Sequence, residues 1–182
     1  MPRLIVINGP PGCGKSTLAA RYVADHPLAL DLDIDRVRGC LGRWLSTPQE
    51  AGRRARAIAL ASGRVHLTAG YDVVVPQYLG RTEFLEQLEE VADETGADFH
   101  EIVLMDTREN AVRRFVERAR TSTEQVHLDA RELVDRCGGV DVLAELYDRL
   151  LDVLAARPAA TVLRIEEGRV DDTYRDLLAA VT

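Results

Sequence analysis

The sequence predicts an α/β fold, a three-layer α/β/α sandwich in which helices cover both faces of a five-stranded parallel sheet. Three observations lead there. Short, continuously apolar runs such as Leu4-Ile5-Val6-Ile7 alternate along the chain with longer stretches of helical periodicity, and strands apolar on both faces belong to sheets covered on both sides. The first of these runs passes through a glycine-rich turn straight into a good helix former, Thr17 to Val23. No repeat, linker or low-complexity stretch divides the 182 residues, so 1–182 reads as one domain, long enough to bury a core.

The elements follow in order. After the strand at 4–7 and the helix behind the glycine turn, a second strand is expected at 28–33 and a helix from about 36 to 45. Thr47-Pro48-Gln49-Glu50 has the pattern of a capping box with proline at the first helical position, opening a long helix to about residue 69. The β-branched run 71–76, bounded by Gly70 and Pro76, is a third strand. Residues 82–95 place Phe84, Leu85, Leu88 and Val91 on one helical face, and Gly96 closes the helix. A fourth strand is expected at 100–105, after which Thr107 caps a helix to about 120. The polar interval 121–129 suits a mobile loop. Helices near 130–137 and 140–156, a fifth strand at 161–165 and a last helix at 172–181 complete the chain.

Chemistry concentrates in the glycine turn. Gly9-Pro10-Pro11-Gly12-Cys13-Gly14-Lys15-Ser16 fits G-x-x-x-x-G-K-[ST], between a strand and a helix where that pattern has a mechanical purpose. Backbone N–H groups and a helix N-terminus converge there on one anion. Lys15 adds a point charge that reaches terminal phosphates, the Ser16 hydroxyl is placed for Mg²⁺, and Thr17 continues the phosphate contact. Composition sets the limits. A net charge of −7 argues against a long nucleic-acid partner, which needs a basic surface, and not against a single nucleotide. Cys13, Cys40 and Cys137 have no paired spacing, so a reducing, cytoplasmic setting without disulfides is expected. No signal peptide and no membrane-length apolar run is present. His26, His66, His100 and His127 show no metal-ligand spacing, and no chemistry is assigned to them.

Ligands of such sheets bind beyond the carboxyl ends of the strands. After the second strand stands Asp31-Leu32-Asp33-Ile34-Asp35-Arg36-Val37-Arg38, whose three acids share one face if the strand persists. Asp35 reads as the cap of the next helix, as a catalytic group, or as both. Carboxylates on a covered strand are costly unless something binds them, so at least one of Asp33 and Asp35 is expected to face the phosphates.

The segment Asp33-Ile34-Asp35-Arg36-Val37-Arg38-Gly39-Cys40-Leu41 resembles the D-G-D-N-V-R-x-x-L stretch of adenylylsulfate kinases. Its Asp-x-x-Arg is also similar to the pattern of phage polynucleotide kinase and chloramphenicol phosphotransferase, small P-loop kinases grouped with shikimate and gluconate kinases. The resemblance implies the strand order 2-3-1-4-5, Asp35 as the base that takes the proton of an attacking hydroxyl, and Arg38 as the substrate clamp. Asp33 is the candidate for carboxylate support of Mg²⁺ and for substrate contact. P-loop ATPases usually end the third strand in an acid; here it ends Pro76-Gln77, and Asp72 lies at the wrong end. Gln77 and Tyr78 read either as substrate-facing groups or as a plain turn. The run 74–77 also resembles tunicamycin-resistance proteins.

A lid region is expected over about 107–138. Arg114 and Arg118, four apart on the helix after the fourth strand, share one flank. They resemble the lid arginines with which small P-loop kinases close over ATP, and sequence does not choose between these and Arg120. The expected activity is ATP- and Mg²⁺-dependent transfer of the γ-phosphoryl group to a hydroxyl of a small molecule, such as a sugar, nucleoside or antibiotic. Two alternatives stay open, a polynucleotide 5′-hydroxyl kinase and a nucleotide-dependent binding or resistance protein without transfer. Monomer and homodimer are both open.

Overall fold

The computed structural model describes residues 1–182, the side chain of Val126 aside. Five strands, β1 (Arg3–Asn8), β2 (Leu30–Asp31), β3 (Val73–Pro76), β4 (Asp98–Met105) and β5 (Thr161–Arg164), form one parallel sheet in the order β2-β3-β1-β4-β5. The helices are α1 (Lys15–Asp25), α2 (Ile34–Gly39), α3 (Pro48–Thr68), α4 (Glu83–Thr95), α5 (Arg108–Thr121), α6 (Gln125–Cys137), α7 (Val140–Ala156) and α8 (Val170–Ala180).

Period-two alternation within β1 divides its apolar residues between two cores. Leu4 and Val6 pack with Val73, Val75, Leu85 and Leu88 under α3 and α4. Ile5 and Ile7 pack with Leu18, Tyr22, Val74, Ile102 and Leu177 under α1 and α8. Both sides of the strand are therefore removed from water, which is why β1 carries an unbroken apolar run. No helix among the described residues is long and apolar enough to cross a membrane.

Several expected boundaries move, each for a local reason. β2 keeps only two residues because the Asp33 side chain caps α2, its Oδ1 accepting from the N–H groups of Asp35 at 2.9 Å and Arg36 at 3.3 Å. The cap is thus Asp33 and not Asp35, and the acids after β2 lie on a turn instead of one strand face. α2 stops at Gly39, well short of 45; Arg43 takes a left-handed φ of 52° and a separate 3₁₀ turn, Trp44–Ser46, buries Trp44. The capping box ahead of α3 does not form. Thr47 makes no side-chain cap, and Glu50 turns instead to Arg53 and Arg54. The expected mobile loop at 121–129 is mostly helix: α6 begins at Gln125, after Ser122 Oγ accepts from Glu124 N and pairs with His127 Nδ1 at 2.7 Å. Only residues 122–124 remain irregular. Asp72 leaves β3 because its carboxylate is taken by the Arg3 N–H and the Tyr22 hydroxyl, at 2.8 and 2.7 Å, at the amino end of the sheet.

Candidate active site

β1 ends in Asn8, a fully buried polar residue. Its Oδ1 accepts from Gly9 N at 2.8 Å and from Leu79 N at 2.9 Å, while Nδ2 donates to Leu79 O at 3.0 Å. Asn8 therefore ties the start of the glycine turn to the loop after β3 and fixes the two to each other. Sequence reading missed it; the available signal was one polar residue closing an otherwise apolar strand.

The glycine turn then reaches α1. Gly14, the residue before the helix, has φ 97° and open space where a Cβ would stand, so it is the backbone conformation that demands glycine. At Gly12 proximity adds to a left-handed φ of 89°: a Cβ would stand 3.0 Å from Phe115 N, so α5 sits directly on the turn. Lys15 Nζ lies along the turn, 2.8 Å from Gly9 O and 2.9 Å from Pro10 O, which keeps its charge at the loop. Pro10 and Cys13 are buried in the turn and serve its shape.

Beside this loop opens a cleft of about 660 Å³. Pro11, Gly12, Gly14, Lys15, Ser16 and Thr17 form one wall; Asp33, Asp35 and Arg38 another; Pro76, Gln77 and Tyr78 a third; and Arg118 and His127 close it from α5 and α6. Residues from four separate parts of the chain are thus brought to the carboxyl edge of the sheet. Asp35 and Arg38 face each other as an ion pair at 3.0 Å, and the Arg38 guanidinium stacks on Trp44, 4.4 Å from its ring centre. Burial, and then the neighbouring Asp35 charge, raise the Asp33 pKa above the ordinary carboxylate value. Asp31 is likewise raised by burial. Two buried polar atoms in the cleft-lining residues lack partners, Gln77 Oε1 and Arg38 Nε. Each such atom costs on the order of 1–3 kcal/mol in a protein interior until something satisfies it.

Tyr78 lines the cleft with its ring, but its hydroxyl donates to Leu146 O at 2.9 Å, and burial pushes its pKa up to about 12. It is a wall residue anchored to α7, not a free hydroxyl. The two arginines expected in a lid separate. Arg114 pairs with the buried Asp106 carboxylate at 2.7 Å, close in distance yet off the hydrogen-bond direction. Arg118 faces the cleft; burial lowers its pKa, opposed by Cys13 and by the charges of Glu124 and Asp35. Arg120 is exposed. His127, given no chemistry from sequence, is half-buried on the cleft wall, its pKa lowered by burial and next by Arg118.

A second cavity of about 210 Å³ lies against the same turn, between Gly12, Thr17 and Arg114 on one side and Ile165, Gly168 and Thr173 on the other. No sequence signal pointed to the segment after β5, because its place beside the turn is set by sheet order alone.

Whether Mg²⁺ fits can be judged from the donors. No group of three His, Cys, Asp or Glu residues among the described residues forms a metal cage. Mg²⁺ does not need one; it keeps several waters and takes one or two carboxylates plus phosphate oxygens. The Ser16 hydroxyl with the crowded acids Asp33 and Asp35 meets that description.

A family model described as an AAA domain, AAA_33, matches residues 4–136. The chain belongs to that family. A gluconokinase from Sinorhizobium meliloti 1021 superposes with a TM-score of 0.61 at 15% identity, covering 99% of this chain and 91% of its own. The tunicamycin resistance protein of Deinococcus radiodurans gives 0.63 at 17% identity, covering 98% and 95%. A protein of Chloroflexus aurantiacus gives 0.66 at 15% identity, covering 100% and 99%. At these identities the likeness is one of fold. No curated protein matches the sequence.

Proposed function

We propose that the protein is an ATP-dependent phosphotransferase that moves the γ-phosphoryl group to a hydroxyl of a small acceptor. One observation carries this reading: an Asp35–Arg38 pair whose Arg38 Nε is unpartnered, together with the unpartnered Gln77 Oε1, shares a cleft with Lys15 and Ser16. A phosphate loop that only bound nucleotide has no use for an acid, a guanidinium and an amide arranged to receive a polar second ligand. The gluconokinase neighbour supports the acceptor class through its fold alone.

In this reading the triphosphate lies along residues 9–17, with the base in the cavity between Arg114 and the segment after β5. Phosphoryl transfer asks mainly for positioning and charge stabilisation. The loop N–H groups and Lys15 hold the β- and γ-phosphates, and Arg118 meets the charge from the α5 side. Mg²⁺, held by Ser16 with Asp33 in support, supplies neutralisation of phosphate charge. Arg38 and Gln77 orient the acceptor, and Asp35 accepts its hydroxyl proton. The acceptor oxygen bonds to the γ-phosphorus as the bond from that phosphorus to the bridging oxygen breaks, and ADP leaves with the electron pair.

The test is a screen of hydroxyl-bearing metabolites and antibiotics for acceptor-stimulated ADP release, with Lys15→Ala as control. Stimulation by at least one compound, abolished in the control, is expected. Tight nucleotide binding with no acceptor raising turnover would leave only the binding role.

A further inference from the structure

A second groove, of about 690 Å³, adjoins the cleft through Tyr78, which lines both. Arg53 and Arg56 of α3, Arg81 ahead of α4, and Arg149 of α7 line it against a single acid, Glu83. The groove lining thus sets four guanidinia against one carboxylate on a chain whose net charge is −7. Two of them are committed. Arg53 donates to Glu50 at 3.0 and 2.6 Å, and Arg149 lies 3.4 Å from Glu145. The other two are not: among the described residues Arg56 has only the Phe84 ring, 6.0 Å from its centre, and Arg81 makes neither a salt bridge nor a hydrogen bond. Tyr78 is the shared edge of groove and cleft, held by its hydroxyl on Leu146 O and its ring tip against Gly80, where a side chain would displace it.

We propose that this groove is an oxyanion subsite of the acceptor, so that the compound phosphorylated beside Asp35 already carries a phosphate-class group held by Arg56 and Arg81. The inference rests on the transfer reading above and adds the charge class of the substrate. A guanidinium offers a planar fork that matches phosphate oxygens two at a time, and two uncommitted forks suffice for one such group. A long polyanion fits less well, since it needs an extended basic track and this surface is acidic overall.

The test uses the full chain and an Arg56→Gln/Arg81→Gln double variant, both positions exposed and free of structural bonds. First, inorganic phosphate is titrated calorimetrically into protein saturated with Mg²⁺ and a non-hydrolysable ATP analogue, which occupies the phosphate loop. Wild type should bind phosphate and the variant at least tenfold more weakly, with the analogue's affinity the same in both. Equal binding, or none to wild type, overturns the subsite and leaves the transfer reading intact. Second, ADP release is measured with hydroxyl compounds in matched pairs, with and without a phosphate monoester. The phosphorylated members should be favoured tenfold or more in kcat/KM, and the variant should erase that preference. Equal or reversed preference overturns the acceptor assignment, as does preferential phosphorylation of a polynucleotide. Phosphate binding without turnover of any compound would sink the transfer reading and the acceptor assignment together, leaving an anion site.

Discussion

Replacing Asp35 by Asn separates the base from everything else Asp35 touches. Asn keeps the shape and one carbonyl oxygen toward Arg38, and removes the charge and the capacity to take a proton. The 3.0 Å pair with Arg38 is partly solvated, the two side chains being 32% and 17% exposed. Its loss therefore costs at most about 1 kcal/mol of stability, or a few degrees in Tm for a chain of this size. The kinetic cost is larger. A positioned general base contributes about 10²–10⁴ in rate, about 2.7–5.5 kcal/mol of barrier at ~1.4 kcal/mol per decade. Nucleotide affinity should hold or tighten slightly, because removing a negative charge near Arg118 leaves the cleft more favourable to a triphosphate. The assay pairs steady-state ADP release, acceptor saturating, with equilibrium binding of a fluorescent ATP analogue. A kcat down by two to four decades with unchanged nucleotide affinity is expected. Nucleotide affinity and transfer falling in parallel would move Asp35 to the metal, and an unchanged kcat would mean that the base is elsewhere.

Arg38→Ala should raise the acceptor KM tenfold or more while leaving that of ATP within about twofold; the reverse split in steady-state kinetics would put Arg38 on the nucleotide. Arg114→Ala and Arg118→Ala should diverge. Loss of Arg114 leaves the Asp106 carboxylate, only 8% exposed, without its counter-ion and should lower stability by about 2 kcal/mol in denaturant melts. Arg118→Ala should spare stability and raise the ATP KM or lower kcat about tenfold, and matching phenotypes would show that α5 acts as one structural unit. Asp33→Asn tests the buried acid through pH. Its raised pKa means that the folded chain holds a proton the unfolded chain has already lost. Its contribution is therefore most favourable below the ordinary Asp value and declines as pH rises through the raised one. Asn caps a helix as well as Asp, so the variant should gain on wild type in Tm above about pH 4, and parallel pH curves would contradict the assignment.

How much of this was legible beforehand depends on how local each signal is. The phosphate loop was readable whole, because pattern, preceding strand and following helix are contiguous and one backbone geometry imposes all three. Alternation of apolar strands with helices gave the layered sheet for the same reason, since burial on both faces leaves its mark in the central strands β1, β3 and β4. Boundaries failed where side chains compete for backbone groups. Asp33 took the cap expected of Asp35, Glu50 preferred two arginines to the Thr47 box, and Ser122 with His127 turned an expected loop into the start of α6.

The sequence by itself determined that a glycine-rich phosphate-loop pattern joins the first strand to the first helix, and that Asp35 and Arg38 follow the second strand. Only the tertiary structure decided what meets there. Arg118 lines the cleft while Arg114 pairs with Asp106, Tyr78 lines two grooves at once, and Asn8, His127 and the segment after β5 come beside the same edge from positions that no pattern linked. The physical reason is that such residues are far apart along the chain and carry no periodicity of their own. Their roles arise from the strand order β2-β3-β1-β4-β5, which fixes which loops share an edge and is dictated by packing across the whole sheet.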